Sequence, residues 1–205
     1  MGIYERYVLP HVINFACGMK PIGMQREKVV PQAQGRVLEI GMGSGLNLPY
    51  YNRDKVEMLW GLEPSEGMRK RARKNIANSG LDVNWLDLPS ETIPLDDDSA
   101  DTIVLTYTLC TIPDWHRALG EMRRVLKPGG ELLFSEHGLA PDTSVQRWQK
   151  RLGPAWKKIG GGCRIDRDIP ALLEAGGVTL SSLQQGYIPG PKLAGYQYWG
   201  MARGS

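Results

Sequence analysis

The feature that most constrains the fold is an alternation that begins at Arg36, in which short apolar runs are followed by stretches of helical periodicity. The apolar runs are VLEI (37–40), VEMLWGL (56–62), VNWLD (83–87), TIVLTYT (102–108) and ELLFSEH (131–137), with VTLSSLQQ (178–185) and GYQYWGMA (195–202) after them. Between them, Ser65 to Asn78 and the amphipathic PDWHRALGEMRRVL (113–126) read as helices, the second closed by the helix stop Lys127-Pro128-Gly129-Gly130. A polar helix with aromatics over 143–158 and a short one over 168–176 complete the set. Strands alternating with helices of this length build βαβ units. The expected architecture is α/β: a doubly wound, mostly parallel sheet of seven strands whose last strand is antiparallel.

The segment before this alternation has a different character. Ile3, Tyr7, Val8, Val12, Phe15 and Ala16 fall near helical spacing, Pro10 predicts a kink or two short helices, and Pro21 opens a second helical stretch ending near Pro31. With no glycine-rich loop, residues 1–34 read as a helical cap of the same domain, and 35–205 as its body. A length of 205 residues with 41% hydrophobic and 23% charged residues suits one soluble domain with a sizeable core. The net charge of +3 is scattered along helical stretches, which argues against a nucleic-acid partner. Cys17, Cys110 and Cys163 are odd in number, far apart and without CxxC or Cys/His ligand spacing. Neither a disulfide framework nor a metal site is expected from them, and a reducing cytoplasm fits. No secretory signal pattern and no membrane-spanning apolar run is visible. Nothing in the pattern specifies an oligomeric state.

The first apolar run leads straight into Gly41-x-Gly43-x-Gly45. In a doubly wound sheet, ligands sit beyond the carboxyl ends of the strands, where this loop lies. A dinucleotide fingerprint would place its third glycine at position 46, which is Leu46 here. Glu39, just before the loop, would repel a diphosphate but suits a ligand carrying an ammonium group. Glu63 ends the second strand, where a carboxylate accepts hydrogen bonds from both ribose hydroxyls of an adenosine. A nicotinamide-dependent reductase on the same fold is the alternative of another class, opposed by Leu46 and Glu39.

VLEIGMGSGLN with Glu63, the tract LDDDSADTIV and the run EMRRVLKPGGELLFSEH resemble the class I S-adenosylmethionine-dependent methyltransferases (the methyltransferase type 11-like group) continuously over residues 36–137. TYTLCTI, SEHGLA and QRWQKRLGPAWKKIGGGCRIDRD are further similar to the small thiol methyltransferase branch, and there is a looser similarity to small bacterial phospholipid N-methyltransferases. The eukaryotic members of the thiol branch carry an N-terminal membrane anchor, and no such anchor is expected here. The resemblance implies a Rossmann-like fold and S-adenosyl-L-methionine as cofactor, with S-adenosyl-L-homocysteine as product. It implies that Glu39, Gly41 and Gly43 meet the methionine end, with Gly45 and Asn47 at its border. By the same resemblance Glu63 holds the ribose, Pro64 and Met68 flank the adenine, and Thr106 lies against the methionine portion. The family's acidic adenine-edge position falls on Pro89 here, so Ser90 and Glu91 are expected to read the adenine, with Asp87 nearby.

Methyl transfer from a sulfonium is an in-line displacement, so the protein contributes mainly alignment at roughly 3 Å and exclusion of water. A thiol ionises in part near neutrality, and a general base is optional. His137, ending the fifth strand, is the expected catalytic proton acceptor. His116 is expected on a solvated helix face, and His11 in the cap. The acceptor pocket is expected from Tyr4, Tyr7, Tyr107, Cys110, Trp148, Trp156, Cys163 and Arg167, with Tyr187 at its rim. This aromatic, largely uncharged set favours a small hydrophobic acceptor, most plausibly a thiol. The alternative is a phospholipid or quinone, which would need peripheral membrane contact through the N-terminal helix.

Overall fold

The structure, a computed structural model, describes residues 8–204. Seven strands form one sheet: β1 (Gly35–Ile40), β2 (Val56–Leu62), β3 (Val83–Leu86), β4 (Ala100–Thr106), β5 (Leu126–His137), β6 (Val178–Tyr187) and β7 (Tyr196–Gly204). Their order is β3-β2-β1-β4-β5-β7-β6. β1 pairs parallel with β2 and β4, β2 with β3, and β4 with β5, whereas β7 runs antiparallel between β5 and β6. The order reverses between β1 and β4, so the loop after β1 opens at the topological switch point.

The helices are α1 (Leu9–Cys17), α2 (Lys20–Val29), α3 (Glu66–Ser79), α4 (Trp115–Val125), α5 (Thr143–Ile159), α6 (Ile169–Ala175) and α7 (Lys192–Gly195). Their ends follow from local chemistry. Ser65 caps α3 by accepting from the Met68 amide, and Gly80 closes that helix in the left-handed conformation at φ 65°. Asp114 and Asp168 cap α4 and α6 by accepting from the Arg117 and Ala171 amides.

Alternation along the strands divides the core into two layers. Leu38 and Ile40 of β1, Ile103 and Leu105 of β4, and Leu132 and Phe134 of β5 pack with Ala118, Leu119 and Met122 of α4 and with Ile169 and Leu173 of α6. Val37, Leu59, Val104 and Leu133 lie in a second cluster with Val29, Val30 and Ala33 at the end of α2, and with Met42, Leu48 and Tyr51. By the same period, Glu39 shares the face of Val37 and points toward α2 rather than toward α4. Truncating Leu38 or Leu105 to alanine, both fully buried, would cost about 2–5 kcal/mol.

Several boundaries differ from the sequence expectation. Pro10 sits in the first turn of α1, where its missing amide leaves no bond unmade, so it starts a helix instead of kinking one. β4 begins two residues early and stops at Thr106, because Tyr107 turns into a left-handed backbone at φ 54°. Leu126 already pairs with Ala100, so the Lys127–Gly130 turn is a bulge within β5 rather than its approach. The QGYIPGPKLAG segment is more ordered than a loop: β6 continues to Tyr187 and α7 follows.

Candidate active site

An open cleft of about 400 Å³ lies at the carboxyl end of β1 and β4. Its walls come from the glycine loop (Gly41, Met42, Gly43, Ser44, Leu46, Asn47), from Glu39, Thr106 and Tyr107, from Met68 of α3, and from Ile13, Asn14, Cys17 and Arg26 of α1 and α2. Gly41 and Gly43 adopt φ of 65° and 58°, a left-handed backbone that side chains resist. A Cβ on Gly41 would lie 2.5 Å from Thr108, and one on Gly43 would fill the space 3.4 Å from Met68 Cε. The loop's backbone conformation therefore favours glycine at both positions, and packing against Thr108 excludes a side chain at Gly41.

The floor is a polar network almost out of water. Glu39 is 2% exposed, and its carboxylate accepts from Asn47 Nδ2 at 2.9 Å and from the Tyr51 hydroxyl at 2.8 Å. Burial pushes its pKa up to about 7, against the lowering effect of the Tyr51 hydrogen bond and the Arg26 charge. Arg26, 5% exposed, donates to Asn47 Oδ1 at 2.8 Å and to Thr106 Oγ1 at 2.9 Å, and its guanidinium lies 5.0 Å from the Tyr107 ring centroid. Its Nε is buried without a hydrogen-bond partner. Asn47 thus bridges a carboxylate and a guanidinium across the bottom of the cleft. Asn14 of α1 closes over the loop, accepting from the Ser44 hydroxyl at 2.5 Å.

Beside this network, Glu63 ties the glycine loop to the start of α3. Its two oxygens accept from the Gly43 amide at 3.0 Å and the Ser65 amide at 2.8 Å, and burial raises its pKa. Each oxygen keeps a second acceptor site for a ligand hydroxyl.

Behind Tyr107 lies a second group of side chains. The His137 ring stacks on Tyr107 with centroids 6.4 Å apart, and His137 Nε2 stands 3.2 Å from Cys163 Sγ. Cys110, 2% exposed, joins them, and the three donor atoms all lie within 4.8 Å of one another. The Cys110 thiol and the His137 imidazole hold the Cys163 sulfur well below the ordinary thiol range, whereas Cys110 is pushed up. Burial opposes protonation of His137, but the adjacent Cys163 sulfur raises its pKa overall. The supporting framework is rigid. Glu136 Oε1 accepts from the Thr108 and Leu109 amides at 2.7 and 2.9 Å. Gln149, fully buried on α5, bridges the carbonyls of Gly138, Ile165 and Leu193.

Of the residues singled out from sequence, Glu39, Gly41, Gly43, Asn47, Met68, Thr106 and Tyr107 line the cleft. Gly45 sits in the same loop facing Leu48, and Pro64 is exposed. Ser90 and Glu91 lie in the segment between β3 and β4 and are not among the residues lining the cleft. Arg167 does not face the cleft: its guanidinium donates to the Leu109 and Ile112 carbonyls and braces the loop after β4. Trp148 and Trp156 stand on α5 at 54% and 37% exposure. Tyr187 donates to Asp142 at the surface. Tyr4 and Tyr7 fall outside the described residues. His116 is exposed, and His11 stands against Arg71. Arg26 and Asn14 were not singled out. The available signal was an arginine four residues after Ile22 and three before Val29, on the face of α2 that turns to the core.

The fold is Rossmann-like, with a polar cleft at the switch point of its sheet. Residues 38–134 match the family model described as a methyltransferase domain. Human thiol S-methyltransferase TMT1B is 36% identical over 166 residues, covering 78% of this chain and 66% of that protein. The rat protein of the same name is 36% identical over 160 residues, and the chain spans 64% of its length. Phosphatidylethanolamine N-methyltransferase of Cereibacter sphaeroides is 35% identical over 112 residues, half of this chain and 51% of that one. A SAM-dependent methyltransferase of Leishmania major shares the fold at a TM-score of 0.70 and 19% identity, covering 97% of this chain and 80% of its own. The chain belongs to the S-adenosylmethionine-dependent methyltransferases.

The donor set fits that cofactor. Arg26 Nε lacks an acceptor that an α-carboxylate would supply, and the buried Glu39 carboxylate lacks a direct cationic contact that an α-ammonium would supply.

Proposed function

We propose that this protein transfers a methyl group from S-adenosylmethionine to the sulfur of a small hydrophobic thiol. The observation that carries the reading is the juxtaposition across Tyr107: a zwitterion-sized polar floor on one side and a buried imidazole–thiol cluster on the other. Similarity to the thiol S-methyltransferases supports the acceptor class.

When bound, the cofactor supplies a methyl on a sulfonium, already attached to a good leaving group. Glu39 and Arg26 would hold the ammonium and carboxylate of its methionine end, the Gly41–Gly45 backbone would admit it closely, and Glu63 would take ribose hydroxyls. Tyr107, held by its hydroxyl bond to Gln197 Oε1 at 2.9 Å, separates donor and acceptor sides. Its left-handed backbone, at a cost of about 1–3 kcal/mol, aims the ring between the two sites. His137 serves to keep the acceptor sulfur deprotonated. A reducing, cytoplasmic compartment suits three free cysteines. The class is tested by thermal shift: S-adenosylhomocysteine should raise the unfolding midpoint and NADH should not. A shift with NADH alone would return the reductase.

A second reading, methylation of a lipid or quinone at a membrane surface, is favoured by one specific observation. Val8, Val12, Phe15 and Met19 along α1 and its flanks, and Trp148, Leu152, Trp156 and Ile159 along α5, are exposed apolar residues at helical spacing. Leu9 abuts Gly161 just after α5, so the two stripes are neighbours, and Lys150, Arg151, Lys157 and Lys158 flank the second. No helix among the described residues is long and apolar enough to cross a membrane, so such contact would be interfacial. Co-sedimentation with anionic vesicles, lost in the Phe15→Glu, Trp148→Glu double variant, would favour this reading. Equal partitioning of both proteins into the supernatant would remove it.

A further inference from the structure

We propose that Cys110, His137 and Cys163 form a three-ligand site for a borderline-soft divalent cation of the Zn2+ type, set beside the methyl-donor cleft. The three residues are far apart in the chain, and no ligand spacing in the sequence brings them together. The fold does so from three directions. Cys110 comes from the turn after β4, His137 from the end of β5, and Cys163 from the loop after α5.

The geometry is close to that of a metal centre. Zn–S and Zn–N bonds of about 2.3 and 2.0–2.1 Å place the donors of a tetrahedral Cys2His site roughly 3.5–3.8 Å apart. Here Nε2 and the Cys163 sulfur are 3.2 Å apart, and no pair among the three exceeds 4.8 Å. Seating an ion therefore needs side-chain adjustments of about 1 Å or less, without moving an element.

The surrounding backbone holds these positions. Gly161 and Gly162, at φ 62° and 97°, turn the chain after α5 so that Cys163 faces inward. The Arg164 amide donates to the Cys110 carbonyl at 3.0 Å and locks the two cysteine-bearing segments together. Arg167 grips the Leu109 and Ile112 carbonyls on either side of Cys110.

An ion on Nε2 would fix the tautomer of His137, leaving the imidazole proton on Nδ1, which is buried without a hydrogen-bond partner.

Two thiolates and one neutral imidazole leave the fourth tetrahedral position open, as in catalytic rather than structural zinc sites. Tyr107, which lines the donor cleft, stacks on His137 with ring centroids 6.4 Å apart, so the cluster and cleft are neighbours. This deepens the thiol reading and rests on it: a sulfur entering the open position is held as a thiolate by the ion itself. His137 then acts on the acceptor through the ion rather than as a free base.

The test is metal stoichiometry on the full chain, with Zn2+ and Co2+ as probes. The wild-type protein, reduced and titrated with Co2+, should bind one ion per chain. It should show thiolate-to-cobalt absorption of two-sulfur intensity, displaced by one equivalent of Zn2+. Cys110→Ser and Cys163→Ser should each halve that absorption or abolish binding, while Cys17→Ser keeps both. Should either serine variant fail to fold, judged by circular dichroism, the wild-type titration still decides. No bound Co2+ or Zn2+, binding untouched by either serine variant, or loss in Cys17→Ser would each overturn the site. If the protein binds the metal but methylates only amines or lipids, the acceptor assignment falls and the metal site stands.

Discussion

Cofactor affinity should depend on pH in a way that reports directly on Glu39. Burial holds this carboxyl at about 7 instead of 4.5, so in the empty cleft it is half protonated near neutrality. At 1.36 kcal/mol per pH unit, the displacement is worth about 3 kcal/mol in favour of the neutral acid. An ammonium placed against Glu39 requires the anion, so binding below about pH 7 must release a proton. Affinity for S-adenosylhomocysteine should therefore rise with pH up to about 7, by close to tenfold per unit on the acid limb. Between pH 5.5 and 7.5 the expected gain is about twentyfold. At more alkaline pH the ligand's own α-amino group loses its charge, which closes the optimum from the other side.

The same displacement has a stability consequence of definite sign. The folded pKa lies above the unfolded one, so the contribution of Glu39 is fully present below about pH 4.5 and is lost as pH rises through about 7. Glu39→Gln should accordingly stabilise the ligand-free protein at pH 8, by up to about 3 kcal/mol, while weakening cofactor binding by roughly tenfold or more. Isothermal titration calorimetry in buffers of different ionisation enthalpy, with urea unfolding alongside, measures all three quantities. An acid limb that persists unchanged in Glu39→Gln, together with no gain in stability at pH 8, would show that Glu39 is not the titrating group.

Three further outcomes are expected. Arg26→Leu should weaken S-adenosylhomocysteine by about 10- to 100-fold yet barely affect its decarboxylated analogue; equal losses for both would remove the carboxylate assignment. Gly43→Val, which forces a β-branched residue to φ 58° and fills the space before Met68, should cost more than about tenfold in cofactor affinity by calorimetry. His137→Ala should slow turnover by about 10- to 100-fold with cofactor affinity near wild type, and unchanged rates across pH 6–9 would assign it a packing role.

The sheet was legible because its strands announce themselves twice, by apolar runs and by the helices between them. β2 falls on VEMLWGL without adjustment, and α3 begins one residue after the Ser65 that caps it. The donor loop was legible for the same local reason: Glu39, Gly41, Gly43 and Asn47 lie within nine residues of one another. What escaped was long-range. Arg26 reaches Thr106 across 80 positions, and nothing near it in sequence signals that a cap helix supplies part of the cleft floor. Cys110 and Cys163, expected in one acceptor pocket but without ligand spacing, meet through a glycine turn after α5 that folds back on the loop after β4. Trp148 and Arg167 carried the right chemistry for a pocket, but helix phase turns the one outward and two backbone carbonyls hold the other. Pro10 misled because a proline constrains a helix interior and a helix start in opposite ways.

Incubating the full chain with methyl-labelled S-adenosylmethionine and a matched panel of hydrophobic thiols, amines, phenols and phospholipids, followed by mass spectrometry of the products, decides whether the proposed acceptor is a sulfur. Label should appear on the thiols, with one S-adenosylhomocysteine formed per thioether. Label confined to amines or phospholipids, or no transfer to any acceptor by a protein that binds the cofactor, would overturn the thiol assignment.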